Sequence, residues 1–346
     1  MPSGELTERK AAILRALVQL YIRSGEPVGS EAVSAAASIG VSSATIRNEL
    51  AALEELGYLS QPHTSAGRVP TDLAYRVFVD ALPSRTRLRD VERLAIVHFF
   101  DEALADVDEI LRGTTQLLSR LTRYASLALA PNPQETAVAR AELIPVGTSV
   151  LMLVVLENGR VEKRVVDLPG APSVEDLDHF SRELDQASRG LTIAAAREAL
   201  LERAAHPNGD RGGEWTRIAE VLGSVEDATE AEHVFMSGVA NIAAEEAFRQ
   251  RETLRAIYEA LERESEVLRL LREAAATGAV NVTIGHENRV PEMWEASMVT
   301  APFGAGGLSV GTIGVVGPMR MDYGAAMAAV RAVADRLSAA VEALSP

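Results

Sequence analysis

The chain has 346 residues, 47% of them apolar, a net charge of −15 and no cysteine. That length allows two or three domains with a sizeable core, and the missing thiols exclude disulfides, thiolate zinc sites and cysteine nucleophiles while suiting a reducing cytosol. The acidity argues against a general nucleic-acid coat protein.

Leu6, Ile13, Leu14, Leu17, Val18 and Tyr21 recur at helical spacing and predict a first helix that stops near Ser24-Gly25. Glu26-Pro27-Val28-Gly29 reads as a turn, and Ser30 is placed to cap a short second helix, Glu31 to about Ala37. After Gly40, Ser42 or Ser43 caps a third helix running to about Leu56, with Ile46, Leu50, Leu53 and Leu56 on one side and Gly57 as its stop. Tyr58 to Gln61 reads as a strand, Pro62 to Gly67 as a loop and Arg68-Val69 as the return. The polar stretch 83–90, with Arg85, Arg87 and Arg89, reads as a linker.

A long helical region to about Ser126 follows. Its Leu104, Val107, Leu111, Thr114, Leu118 and Leu121 form either a coiled-coil-like seam or one side of a helix on a domain core. Pro131-Asn132-Pro133 breaks it. Strand-like runs follow at Val138 to Val146, Val150 to Leu156 and Arg160 to Leu168, with Asn158-Gly159 as a hairpin signal between the last two. Residues 174–275 read as mostly helical, with a Gly-rich break at His206 to Gly213. Strands return at Val280 to Ile284, Ser297 to Ala301 and Leu308 to Val316. A final helix after Asp322 bears the stripe Met327, Val330, Leu337, Val341 and Leu344, which reads as core ahead of dimer seam.

Helix, turn, helix and hairpin within about 70 residues is the winged-helix arrangement. A helix that enters the major groove must keep one face in the domain and leave the other to base edges. The third helix meets both demands: Ile46, Leu50 and Leu53 anchor it, while Ser43, Ala44, Arg47, Asn48 and Ala51 fall opposite. Small Ser43 and Ala44 permit close approach; Arg47 suits a guanine edge and Asn48 an adenine. Thr45 lies at the margin, fit for base or phosphate. The wing offers His63, Thr64, Ser65 and Arg68 for phosphate or minor groove, with Gly67 for a tight tip. Ser30, like Ser42, stands at a helix N-terminus, where backbone N–H groups meet phosphate. Arg47 and Asn48 also fit as ordinary surface residues, and Arg68 as a partner of Asp72. Seven Lys/Arg against nine Asp/Glu leave residues 1–82 at −2, so binding must come from a few well-aimed cations.

The runs EPVGS (26–30) and SSATIRNELAALEELGYLSQPHTSAGRVPTD (42–72) closely resemble the heat-inducible transcription repressor family, HrcA. IGHEN (284–288) and GPMRMDY (317–323) resemble that family's second set of motifs. Two departures stand out: Leu73-Ala74 where a basic residue and glycine are expected, and Met319 where threonine is expected. The resemblance implies an α+β fold: a winged helix-turn-helix joined to a GAF-like domain that carries an inserted dimerisation domain. The expected boundaries are 1–82 for the winged helix, 83–130 for linker and long helix, and 131–346 for the GAF-like domain with an insertion at about 170–235. It also implies repression of chaperone genes by a homodimer on double-stranded DNA, at an inverted-repeat CIRCE operator. The chaperonin GroEL is the implied partner that brings the repressor to its active form. The alternative is a winged-helix regulator whose GAF-like pocket senses a small molecule.

Other sites carry less. Histidines 63, 98, 179, 206, 233 and 286 include no i,i+4 pair, so no metal is expected. The stretch FGAGGLSVGTIGVVG (303–317) lacks the GK[ST] ending of a phosphate loop and reads as a hairpin. Asp322 reads as the cap of the last helix, with Arg320 paired locally. His286-Glu287 has no nucleophile beside it, so no catalytic residue, enzyme activity or cofactor is expected. The N-terminus lacks the apolar region of a signal peptide, and no apolar run approaches the roughly 18 residues of a membrane span; the expectation is a soluble cytoplasmic protein.

Overall fold

A computed structural model describes residues 6–36, 40, 42–63, 67–83, 88–101, 107–129, 137–147, 149–157, 161–168, 173–205, 212–229, 234–244, 251–263, 267, 269–271, 279–305 and 308–344. Thr64, Ser65, Arg85, Arg87, Leu104, Pro131-Asn132-Pro133, Asn158-Gly159, His206 and His233 lie outside the described residues.

The N-terminal unit opens with α1 (Glu8–Ser24), capped by Thr7 and ended by Gly25 in the left-handed conformation. Helix α2 (Ser30–Ala36) and helix α3 (Ser43–Glu55) follow. The wing pairs β1 (Leu59–Ser60) with β2 (Val69–Pro70), antiparallel. Helix α4 (Asp72–Asp80), not anticipated from the sequence, closes the unit with Ala74, Tyr75, Phe78 and Val79 buried. Its signal was present: an acidic first residue and apolar residues at helical spacing.

The expected long helix is two, α5 (Asp90–Asp101) and α6 (Val107–Thr122). Val107, Leu111, Thr114 and Leu118 are buried within the chain, so the first stripe is core. Strand β3 (Ala125–Leu129) replaces the expected helix end, and all five of its residues are buried. A strand covered on both faces shows no alternation, which hides it from a period-2 reading. Strand β7 (Val234–Ser237), also unforeseen, lies beside β3, pairing Leu129 with Val234. Their sheet has the order β7-β3-β10-β9-β8, all antiparallel, and it is the GAF-like sheet. It is completed by β8 (Asn281–Ile284), β9 (Ala296–Ala305) and β10 (Leu308–Pro318). The glycine-rich stretch is therefore strand and hairpin, as expected.

Between the neighbouring strands β3 and β7 the chain builds a second unit. It includes β4 (Val138–Val146), β5 (Ser149–Leu156) and β6 (Val161–Val166), which form their own three-stranded sheet. Helices α7 (Val174–Ser188), α8 (Ile193–Ala204) and α9 (Gly212–Thr229) share a separate core with it, around Phe180, Leu200 and Leu222. This corrects the expected insertion at about 170–235, which left these three strands with the GAF-like sheet. The break in the GAF-like sheet shows only where β3 pairs β7.

One face of the GAF-like sheet packs α10 (Val239–Ala244) and α11 (Arg251–Glu262), with Leu127, Met298 and Val316 beneath them. The other face packs α6 and the final helix α12 (Tyr323–Leu344). Val330, Leu337 and Val341 are buried there, so the second stripe is core as expected. That core runs without a break into the winged helix, joining Leu17, Leu53 and Tyr75 to Ile313 and Tyr323.

Candidate nucleic-acid interface

Helix α3 begins where Ser42 Oγ accepts from the Thr45 backbone N–H at 3.2 Å, so Ser42 is the cap. Ser42 Oγ also lies 3.0 Å from Thr45 Oγ1, which draws the Thr45 hydroxyl into the cap. Ile46, Leu50 and Leu53 are buried against α1 and α2. Glu49 is buried with them and takes an Arg9 Nε–H at 2.8 Å, a tie between α1 and α3 that the sequence reading missed. On the other side Ala44, Arg47 and Asn48 are exposed, with Ser43, Thr45 and Ala51 half-buried. Among the described residues, neither the Arg47 nor the Asn48 side chain has a hydrogen-bond or ion-pair partner. The helix therefore meets the geometric demand of groove entry: an apolar root, and small and amide-bearing residues left to solvent.

Wing and turn are joined. Val28 and Arg68 exchange both backbone hydrogen bonds at 2.9 Å, which adds a third short strand segment beside β2. This explains Gly67 differently from a tight tip: a Cβ there would lie 2.5 Å from the Val28 carbonyl. Thr71 Oγ1 donates to the Gly57 carbonyl at 2.8 Å and closes the base of the hairpin. His63 is exposed at the tip side.

Two sequence-predicted residues sit otherwise than expected. Ser30 is the first residue of α2, not its cap, and is half-buried. The Arg68 side chain is only 20% exposed, and its Nε lies 2.7 Å from Glu54 Oε2 on the last turn of α3. The contact is an ion pair without an aligned hydrogen bond, because the Nε–H does not point at the carboxylate. Arg68 thus braces the wing against α3, and its alternative partner Asp72 is held elsewhere. With Arg9 on Glu49 and Arg76 on Glu287, three of the unit's seven cations are paired within the chain among the described residues.

The second motif block lies beside the first. Asp72, at the start of α4, accepts from the His286 backbone N–H at 2.8 Å and faces His286 Nδ1 at 2.7 Å. Arg76, one turn on, meets both oxygens of Glu287 and donates to the Val282 carbonyl at 2.6 Å. Tyr75 and Tyr323 touch ring to ring at 5.9 Å, and burial raises both phenols above their ordinary range. Asp322 caps α12 as expected, accepting from Ala325 N–H at 3.0 Å. Arg320 lies over Gly25, close to the C-terminal end of α1, where a cation is favoured.

A cavity of about 510 Å³ lies where Leu88 to Glu92 cross the end of α6 and the start of α12. Its polar groups already have partners: Arg89 with Glu92, and the Tyr124 hydroxyl with the Asp322 N–H. Among the described residues, no cluster of acidic or histidine side chains is placed to hold a metal ion, and no helix is long and apolar enough to cross a membrane.

Residues 5–81 match the family model described as winged helix-turn-helix transcription repressor, HrcA DNA-binding, and residues 108–327 match HrcA protein C terminal domain. Similar curated relatives, each named heat-inducible transcription repressor HrcA, extend along nearly the whole chain. The relative from Thermobifida fusca is 42% identical and covers 95% of each chain. Those from Mycolicibacterium smegmatis and Nocardioides sp. are 40% and 39% identical, each covering 96% of this chain and 97% of the relative. A crystal structure of a hypothetical protein is similar with a TM-score of 0.70 at 25% identity, covering 99% of this chain and 100% of its own. With a free recognition face on a winged helix and both family models matched in order, the chain belongs to the HrcA family of heat-inducible transcription repressors.

Proposed function

We propose that this repressor acts in the cytoplasm as a homodimer on an inverted-repeat operator, the CIRCE element, upstream of chaperone genes. The carrying observation is the split character of α3, with Ile46, Leu50 and Leu53 buried and Arg47 and Asn48 exposed, without a side-chain partner among the described residues. Arg47 and Asn48 read base edges, with Ser43 and Ala44 allowing the approach. Ser30, Ser42 and Thr45 face phosphate near helix N-termini, and His63, Thr64, Ser65 and Gly67 bring to the backbone a wing that Arg68 braces against Glu54. Two α3 helices related by a two-fold axis then sit about 34 Å apart, one turn of DNA.

Dimerisation is supported by the outer face of the three-stranded sheet. Ile144, Leu151 and Val165 form one cross-strand row on it, and Ile144, Val146, Val161 and Val165 are exposed. Contiguous exposed apolar residues of this kind mark association surfaces. The chaperonin GroEL is proposed, on family resemblance, to return heat-unfolded chain to this DNA-binding form. Heat lowers the folded population and so lifts repression.

A gel shift with an inverted-repeat operator against scrambled DNA, at two salt concentrations, tests the proposal. Preference for the operator with a shallow salt dependence is expected, because few cations reach phosphate. Equal binding to both DNAs overturns it. Refolding after heat, with and without chaperonin, tests the partner: equal recovery of operator binding removes the chaperonin step.

A further inference from the structure

The motif residues 284–288 lie outside the winged helix, yet they grip it through directional contacts. We infer that Asp72, Arg76, His286 and Glu287 form a latch that fixes α3 relative to the GAF-like sheet, making them positioning residues that set which half-site spacing the repressor accepts. This rests on the inverted-repeat reading above.

Three features separate the latch from ordinary domain packing. The contacts are charge-assisted and two-pronged. Glu287 takes both the Nε and a terminal nitrogen of Arg76, and its Oε2 also takes the Ile284 N–H at 3.0 Å, so the carboxylate is aimed before the arginine arrives. Paired, forked bonds fix orientation, whereas the apolar Tyr75–Tyr323 contact beside them resists separation without fixing an angle. Next, the backbone is built for the approach. Gly285 has φ +50°, and a Cβ there would lie 2.3 Å from Asp72 Oδ2. Finally, the His286 ring is held flat against Trp294, centroids 4.6 Å apart and planes 27° apart, so Nδ1 is presented to Asp72 at a set angle.

The consequence for DNA is geometric. Both Asp72 and Arg76 lie on α4, which follows the wing directly through Pro70 and Thr71. With the latch closed, two protomers joined through their C-terminal parts present their α3 helices at one separation and one angle. Half-sites moved by about five base pairs turn to the opposite face of the duplex and cannot both be reached. With the latch open, the shared apolar core still holds the winged helix to the sheet but no longer fixes its angle, so each winged helix can adjust to its half-site.

The experiment measures binding of the full-length chain to single half-sites and to operators whose spacer is lengthened stepwise through five base pairs. Glu287→Gln keeps size and removes the charge, and His286→Ala changes a side chain that is 68% exposed. Wild type is expected to lose about a hundredfold in affinity at the five-base-pair insertion, the loss of a second tethered site. Both variants are expected to lose no more than about threefold there, with unchanged half-site affinity. If wild type is spacing-sensitive and both variants equally so, the latch does not position the helices and the inference falls while the operator reading stands. If wild type is indifferent to spacing, the inverted-repeat reading falls and the inference with it. If Glu287→Gln loses half-site binding, His286→Ala decides. Loss in both places these residues in the fold of the winged helix and overturns a positioning role.

Discussion

The outer face of α3 and the junction between α4 and the GAF-like sheet use arginine in opposite ways. On α3, an arginine and an asparagine stand without an internal partner among the described residues. At the junction, Asp72, Arg76, His286 and Glu287 are all engaged with one another. An unpartnered guanidinium keeps its five donors for a base edge or phosphate. One held by a carboxylate and a carbonyl serves geometry instead, and losing its partner leaves a desolvated group behind. Residue chemistry alone therefore does not separate readout from positioning; the surroundings do.

The strongest way to break this contrast is at Gly285. Gly285→Ala forces a side chain into a left-handed backbone and onto the Asp72 carboxylate, and is expected to cost about 1–3 kcal/mol of stability. Half-site DNA binding is expected to persist. An unchanged melting temperature would show that the two motif blocks do not approach this closely in solution. Arg47→Ala is the converse. It should remove about 1–3 kcal/mol of specific binding and relax one base position while leaving the melting temperature alone. A drop in thermal stability without loss of specificity would move Arg47 from the interface to the fold.

Arg68→Ala sharpens the comparison, because Arg68 lies between the two cases. Its pairing with Glu54 predicts a loss of under about 1 kcal/mol in stability and an unchanged salt slope. The sequence reading of a phosphate contact predicts a flatter slope instead. A slope reduced by about one counterion would show that Arg68 leaves Glu54 for the backbone of DNA. The smallest effect is confined to alkali. Burial raises the Tyr75 and Tyr323 phenols, so the docked chain keeps protons that the unfolded chain releases above about pH 10. The stability they contribute is complete below that pH and is lost as pH climbs toward the raised values. Tyrosinate absorbance that rises together with unfolding, not before it, checks the sign.

Much of the DNA-binding unit was legible in advance. The 3.6-residue period of Ile46, Leu50 and Leu53 depends only on neighbours within one helix, and so does a capping serine, although the choice of Ser42 over Ser43 came from the structure. The hairpin β9–β10 was legible for the same reason, since its two strands adjoin in sequence. Strands β3 and β7 were not, because each is recognised only by a partner far along the chain. Helix α4 was overlooked although its pattern was present. The motifs IGHEN and GPMRMDY were visible as a resemblance, but nothing within either shows that Glu287 meets Arg76 or that Tyr323 meets Tyr75.

The amino-acid order by itself determined the recognition helix, its buried side and the family, because each depends on residues within a few turns of one another. Tertiary structure alone decided that β4–β6 and α7–α9 form a separate sheet and core, that Arg68 turns inward to Glu54, and that Asp72 and Arg76 close on residues 286 and 287. Those outcomes turn on which distant side chain arrives first to satisfy a charge or cover an apolar face, and local periodicity carries no record of that competition.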